Sequence, residues 1–284
     1  MTSVRSTDPT TLLAGVHVVT IAQNAPGPLA VQRLVQHGAS VCKIEPPQGD
    51  PLLTISESWH AEMHEGVTIE RVDLKSADGR ATLHARLQTA QIFITSQRPA
   101  ALARLGLDPA SLHAAFPALR VLRIVGRLDA PDEAGHDLTY QATAGLIGAS
   151  MPLALVADVM TSERAFAGVL ALLRMEAGSV MDIGMVESLA PMQSTLRHGL
   201  TVPGGTLGGG LPRYALYECA EGQVAVAALE PHFAARLRDE LGSDESATLA
   251  ARFREHTATA WEAWAKERDL PIAAVHSAGH EGIG

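Results

Sequence analysis

HVVTIAQNAPGPLAVQRLVQHGASVCKIE, residues 17–45, decides how the rest of the chain is read. His17–Ala22 is a short apolar run, the pattern of a strand buried on both faces. Gln23–Gly27 is a loop. Pro28 suits the first turn of a helix, where its missing N–H costs nothing, and the helix ends at Gly38, just past His37. Ala39–Glu45 is a second apolar run. A strand, a helix and another strand form a β-α-β unit, so the two strands are parallel and the crossover is right-handed.

The alternation continues outward. Val67–Leu74 is strand-like, Ala77–Thr89 helical, Gln91–Ser96 a strand, Pro99–Ala115 helical and Leu119–Gly126 a strand. Asp158–Glu176 is the longest amphipathic helix, with Phe166, Val169, Leu170, Leu172 and Leu173 on its apolar face. Ser179–Val186 is strand-like. This predicts an α/β fold with a doubly wound, mainly parallel sheet, whose ligands bind beyond the C-terminal strand ends. Pro203–Pro212 (PGGTLGGGLP) carries five glycines in eight positions and reads as a flexible loop or domain boundary. Arg213–Ala220 and Gln223–Leu229 then form a hairpin, and helical segments follow at Pro231–Leu241, Glu245–His256 and Thr259–Arg268. The expected organisation is a large Rossmann-like α/β domain over 1–200, a glycine-rich linker over 201–212 and a small α+β domain over 213–258. A C-terminal segment, 259–284, is expected to return to the large domain.

Composition narrows the function. The 284 residues are 46% apolar, enough for a sizeable core, and the net charge is −9 with no basic cluster. Nucleic acid and anionic membranes are therefore excluded as partners. Aromatics are only 4%, too few for a base-stacking platform. Two cysteines, Cys42 and Cys219, make no disulfide framework, and there is no signal segment or 18-residue apolar run, so a cytoplasmic protein is expected. No G-x-G-x-x-G motif supports NAD. His60-Ala61-Glu62-Met63-His64 is one place off the H-E-x-x-H zinc pattern and shows no third ligand, so no metal is assigned.

GHDLTY (Gly135–Tyr140) is the stretch richest in chemistry. Asp158 follows its histidine by 22 residues, at the start of the long helix. A histidine and a carboxylate brought together supply two bases of different proton affinity, as proton transfer at carbon requires. Each has a plainer role. Asp158 could cap its helix, His136 could be a loop residue, and Glu230 an acid before Pro231 favoured by the helix dipole.

Six collinear segments between about residues 12 and 276 resemble the family III CoA-transferases, the group that includes α-methylacyl-CoA racemases. They are LAGVHVVTIAQNAPGPLAVQRLVQHGASVCKIEPPQGDPL, VDLKSADGR, SQRPAALARLGLD, GHDLTYQATAGL, LVADVMTSERAFAGVLALL and GGLPRYALYECAEGQVAVAALEPHF. The GHD-x-x-Y and ALEPHF segments are more like the racemase branch. The resemblance implies an interlocked homodimer and an acyl-CoA thioester as substrate, with coenzyme A bound only as part of that substrate. It also implies His136 and Asp158 as the two catalytic bases, Glu230 paired with the histidine, and Lys43, Arg98 and Arg104 as cations for the CoA phosphates. In the transferases the aspartate at the position of Asp158 is instead a nucleophile that carries the acyl group as an anhydride.

The chain departs from the family pattern in three places. HEGVTIER (His64–Arg71) replaces a basic run, Val159-Met160-Thr161-Ser162 replaces a glycine-rich turn, and the C-terminus is expected to be short. These departures motivate a further alternative, a non-catalytic binding protein. For an enzyme, the unpaired N–H groups in the first turn after Asp158 are expected to stabilise a thioester enolate.

Overall fold

The computed structural model describes residues 8–276. The chain divides into two compact units that meet in sequence at Ala190–Pro191.

The first unit follows the predicted alternation. Its elements are β1 (His17–Thr20), α1 (Pro26–Gln36), β2 (Ser40–Glu45), α2 (Leu52–Ile55), α3 (Glu57–Met63), β3 (Thr68–Arg71), α4 (Ala77–Leu87), β4 (Ile92–Thr95), α5 (Pro99–Leu105), α6 (Pro109–Ala115), β5 (Arg120–Val125), α7 (Asp137–Thr143), α8 (Val156–Arg174), β6 (Val180–Gly184) and α9 (Met185–Ser188). The six strands lie in the order β3-β2-β1-β4-β5-β6, every pair parallel. This is the doubly wound topology. Strand order reverses between β1 and β4, and beyond their C-terminal ends such sheets leave a crevice.

Helices cover both faces. Leu83, Leu87, Leu102, Leu112 and Phe116 pack onto Val19, Ile44, Phe93 and Val121 in one core. Helix α8 lies on β5 and β6 and packs against α1 and α7, burying Ala165, Val169 and Leu172. The single helix expected over Pro99–Ala115 is two. Gly106 ends α5 in the left-handed conformation (φ 68°), and Asp108, whose carboxylate accepts from the Ser111 N–H at 3.1 Å, caps α6 ahead of Pro109. Helix α8 begins at Val156, two residues before Asp158. The strand expected to reach Val186 stops at Gly184, where α9 starts.

The second unit contains most of α10 (Ala190–Arg197), then β7 (Tyr214–Glu218), β8 (Gln223–Ala227), α11 (Pro231–Leu241), α12 (Ser246–Phe253), α13 (Ala258–Glu267) and β9 (Ile272–Ala274). The predicted hairpin is β7-β8, turning at Gly222 (φ 76°). Its core joins Val224 and Val226 to Leu237, Leu249, Phe253 and Trp261.

Two expectations are corrected here. The glycine-rich 203–212 segment is not an open linker. It belongs to the second unit and is bonded back on itself, with Leu207 N–H donating to Leu200 C=O at 2.8 Å and Gly210 N–H to Gly205 C=O at 2.9 Å. The segment from 259 onward does not return to the large unit over its described part. Ile272 and Ala274 are buried and Ala273 exposed, and this alternation adds β9 antiparallel to β8. Residues 277–284 lie outside the described residues.

Candidate active site

A cavity of about 120 Å³ opens where the sheet order reverses. Gln23 and Asn24 reach it from the end of β1, Ser96 and Arg98 from the end of β4, and Val125 and Gly126 from the end of β5. His136 and Tyr140 enter from the α7 segment and Asp158 from α8. The topology therefore brings the two expected bases to one cavity, although 22 residues separate them.

Asp158 is the third residue of α8 and is buried. Burial raises its pKa, and the charge of Asp137 raises it further, to about 7. The carboxyl group can thus hold or release a proton near neutral pH. Asp137 is the residue that sequence reasoning missed. It is buried at the start of α7, and its Oδ1 accepts from the N–H groups of Ala157 (2.7 Å) and Asp158 (3.1 Å). Its Oδ2 accepts from Gln141 Nε2 at 2.6 Å, and the same amide nitrogen donates to Ala154 C=O at 3.0 Å. Asp137 therefore caps α8 from a distant segment while loading Asp158 with a like charge.

This cap overturns one expectation. Two N–H groups of the first turn of α8 are held by Asp137, and Val159 N–H already donates to Leu155 C=O. They are not free for an enolate oxygen. The starts of α1 (Pro26), α5 (Arg98) and α7 (His136) also line the cavity, and α1 is the longest of these helices, so its N-terminus offers a partial positive charge there.

His136 is the N-cap residue of α7, and its ring belongs to an exposed residue at the cavity rim. Its backbone is fixed twice over: the His136 N–H donates to Thr139 Oγ1 at 3.0 Å, and that hydroxyl donates to His136 C=O at 2.8 Å. Tyr140 is buried against the backbone of two glycines. A Cβ on Gly126 would stand 2.3 Å from its hydroxyl oxygen, and one on Gly135 2.5 Å from its ring. Both positions must stay glycine for the Tyr140 ring to lie there. Burial pushes the Tyr140 hydroxyl pKa up; Arg98 opposes the shift, and the charges of Asp158 and Glu133 add to it.

The remaining expected residues separate. Arg98, the N-cap residue of α5, is exposed, lines the cavity and makes no ion pair among the described residues. Arg104 is exposed in the last turn of α5 and is absent from the cavity lining. Lys43 is corrected: it is fully buried within β2, and its ammonium is already bonded to Asp50 at 2.6 Å, His64 at 2.8 Å and Glu45 at 3.1 Å. It has no free donor to offer a phosphate. Glu230 lies in the second unit, exposed at the N-cap of α11. Its role beside His136 stays with the family resemblance.

His60 and His64 acquire the third donor that the sequence did not reveal. One ligand atom each of Glu45, His60 and His64 lies within 4.8 Å of the others. Glu62 is not part of the group, and the Lys43 ammonium already occupies two of these ligand atoms, His64 Nε2 and Glu45 Oε1.

A second cavity, of about 250 Å³, adjoins β2 and β3 and shares Gln23 with the first. Ile44, Val72 and Leu74 give it an apolar wall, and Gln97 and the exposed Lys75 a polar edge. Lys75 belongs to the VDLK segment and was not singled out from the sequence.

Fold and site together define a doubly wound α/β protein with titratable acid–base groups at its switch point. Residues 13–280 match the profile of CoA-transferase family III, and the chain belongs to that family. It is 26% identical to a CaiB/baiF CoA-transferase family protein, ZK892.4, of Caenorhabditis elegans, over 95% of this chain and 88% of the relative. It is 31% identical to the α-methylacyl-CoA racemase of Mus musculus, over 81% of this chain and 65% of the racemase. In three dimensions it is similar to a hypothetical protein, Rv3272, of Mycobacterium tuberculosis, with a TM-score of 0.83 at 22% identity, over 95% and 85% of the two chains. That last likeness concerns the fold. Relatives named racemases and relatives named CoA-transferases both occur, so the family alone leaves the reaction open.

Proposed function

We propose that the protein is an acyl-CoA-processing enzyme of α-methylacyl-CoA racemase type, which moves a proton at the carbon next to the thioester. One observation carries this: Asp158, with a pKa near 7, lines the same cavity as His136. General acid–base catalysis is most effective when the group's pKa lies near the working pH, and it contributes ~10²–10⁴-fold. A raised pKa makes the ionised Asp158 carboxylate both a stronger base and a stronger nucleophile, so the preference for proton transfer rests on His136, a second base lining the same cavity.

In this mechanism one base takes the α-hydrogen and the C–H electron pair delocalises onto the thioester oxygen. The other base returns a proton to the opposite face. Negative charge develops on that oxygen, and the N-terminus of α1 supplies a favourable field for it. The first cavity is too small for a whole acyl-CoA, so it would receive the reacting carbon. The second cavity would take part of the CoA moiety, with Lys75 and Arg98 as cations for its phosphates. CoA enters only as part of the substrate. The resemblance also implies a homodimer, which light scattering at micromolar concentration checks, and a cytoplasmic location rests on the cysteine usage, which fits a reducing compartment. Among the described residues no helix is long and apolar enough to cross a membrane.

Incubation with 2-methylacyl-CoA thioesters in D₂O tests the reaction. Deuterium is expected at the α-carbon, and Asp158→Ala should abolish its entry. A hydroxylamine-sensitive acyl group on Asp158, with acceptor-dependent CoA transfer and no deuterium, would establish the transferase reaction instead. No exchange, no transfer and no rise of Tm with CoA would leave a binding protein.

A further inference from the structure

Lys43 is the largest of the fully buried side chains, and an ammonium persists in such a place only when it is charge-paired and hydrogen-bonded. Its three protons meet three acceptors: Asp50 Oδ2, His64 Nε2 and Glu45 Oε1. His64 can accept because its Nδ1–H donates to the His60 carbonyl at 2.6 Å, which leaves Nε2 bare. Burial and the Lys43 charge push the His64 pKa down to about 4, so the ring is neutral at physiological pH. His60 Nε2 donates to Glu45 Oε1 at 3.0 Å, and the two imidazoles lie 4.1 Å apart, centroid to centroid.

The far side of Asp50 gives this centre a purpose. Asp50 Oδ1 accepts from the N–H of Leu52 at 2.9 Å and of Asn24 at 3.1 Å. Asn24 holds φ 64°, one of two described non-glycine residues in that region, and it lines the cavity with His136 and Asp158. A side chain in the left-handed region costs about 1–2 kcal/mol and stays there only when its surroundings impose it.

We propose that Lys43 is a positioning residue: as the resident cation of a buried centre made with Glu45, Asp50, His60 and His64, it holds the Asp50 carboxylate on the Asn24 amide and so fixes the Gln23–Asn24 wall of the cavity. Lys43 acts on the cavity through Asp50 and touches no substrate. Only the kinetic arm of its test rests on the acyl-CoA reading.

Lys43→Met keeps the length of the side chain and removes its charge. In the full chain, amide hydrogen exchange at Gln23–Asn24 and at Leu52 should accelerate at least about tenfold, with β5 (Arg120–Val125) unchanged. The kcat for acyl-CoA should fall at least about tenfold, as displaced catalytic geometry entails, while KM stays within about threefold. Unchanged loop exchange overturns the proposal. So does a raised KM with kcat retained, because Lys43 would then be a CoA contact. If Lys43→Met does not fold, Asp50→Ala must show the same loop-specific loss; accelerated exchange throughout the unit, β5 included, would make the centre an ordinary part of the core and overturn the proposal. If the wild type turns over no acyl-CoA, the functional reading fails while the exchange measurement still decides this one.

Discussion

Asp158 is held where an ionised carboxylate is disfavoured, and the direction of its shift determines what that does to stability. Burial first, and Asp137 second, raise its pKa from 3.8 to about 7. A carboxyl with a raised folded-state pKa adds stability that is fully present below pH 3.8 and is lost as the pH climbs through 7. Three pKa units correspond to roughly 4 kcal/mol of destabilisation above pH 7. Asp158→Asn should therefore stabilise the protein by ~2–4 kcal/mol at pH 8 and by far less at pH 4, read from urea midpoints. Equal gains at both values would show that the residue carries no such shift. A natural chain that retains this cost has a use for the group, which accords with a role as a base. His136 and Asp158 were legible in the sequence as chemistry-bearing types within matching segments. Asp137 was legible only as their neighbour, because its bonds to Ala157 and Asp158 span 20 and 21 residues and exist only through the packing of α7 on α8.

Among the elements, α1 couples fold to site most directly, since it starts at the cavity and packs against α8. Gly27 permits this: a Cβ there would stand 2.3 Å from the Cβ of Ala22, just past the end of β1. In an open helix Gly→Ala gains about 0.5–1 kcal/mol. Here the clash is with an atom fixed to the backbone, and overpacking of that kind costs about 1–3 kcal/mol. The clash should win, so Gly27→Ala is expected to lower Tm; an unchanged or higher Tm would mean that α1 can move away freely. Elements with local signals were well legible, as the apolar runs and proline and glycine punctuation of β1-α1-β2 show. The break at Gly106–Asp108 carried its signals too, but the apolar period ran through them. The third strand of the small sheet was not legible, because Ile272–Ala274 is three residues long and is a strand only through its pairing with β8. Lys43 was misread for a similar reason. A lysine in an apolar run looks like a strand-end cation, and only the fold brings Asp50 and His64 to it.

Over the whole molecule, charge and topology pull in opposite directions on an anionic ligand. The net charge of −9 gives no long-range attraction to CoA phosphates. On the proposed acyl-CoA reading, binding would rest on a few local cations at the C-terminal ends of the parallel strands, and a Debye length of about 8 Å at physiological salt confines their effect to short range. The strand order selects which cations qualify. Arg98 lines the cavity at the β1/β4 switch and Lys75 the cavity beside it, while Arg104, one helix length further on, lines neither. Exposed ionic contacts contribute about 0.5–1 kcal/mol each, or roughly two- to fivefold in Kd. Arg98→Ala and Lys75→Ala should each weaken CoA binding by about that factor in calorimetric titrations, with the losses shrinking as salt is raised. Arg104→Ala should leave Kd unchanged. Were Arg104→Ala to weaken binding as much as the other two, the phosphates would lie along α5 instead of over the strand ends, and the placement of the thioester between His136 and Asp158 would have to be abandoned with it.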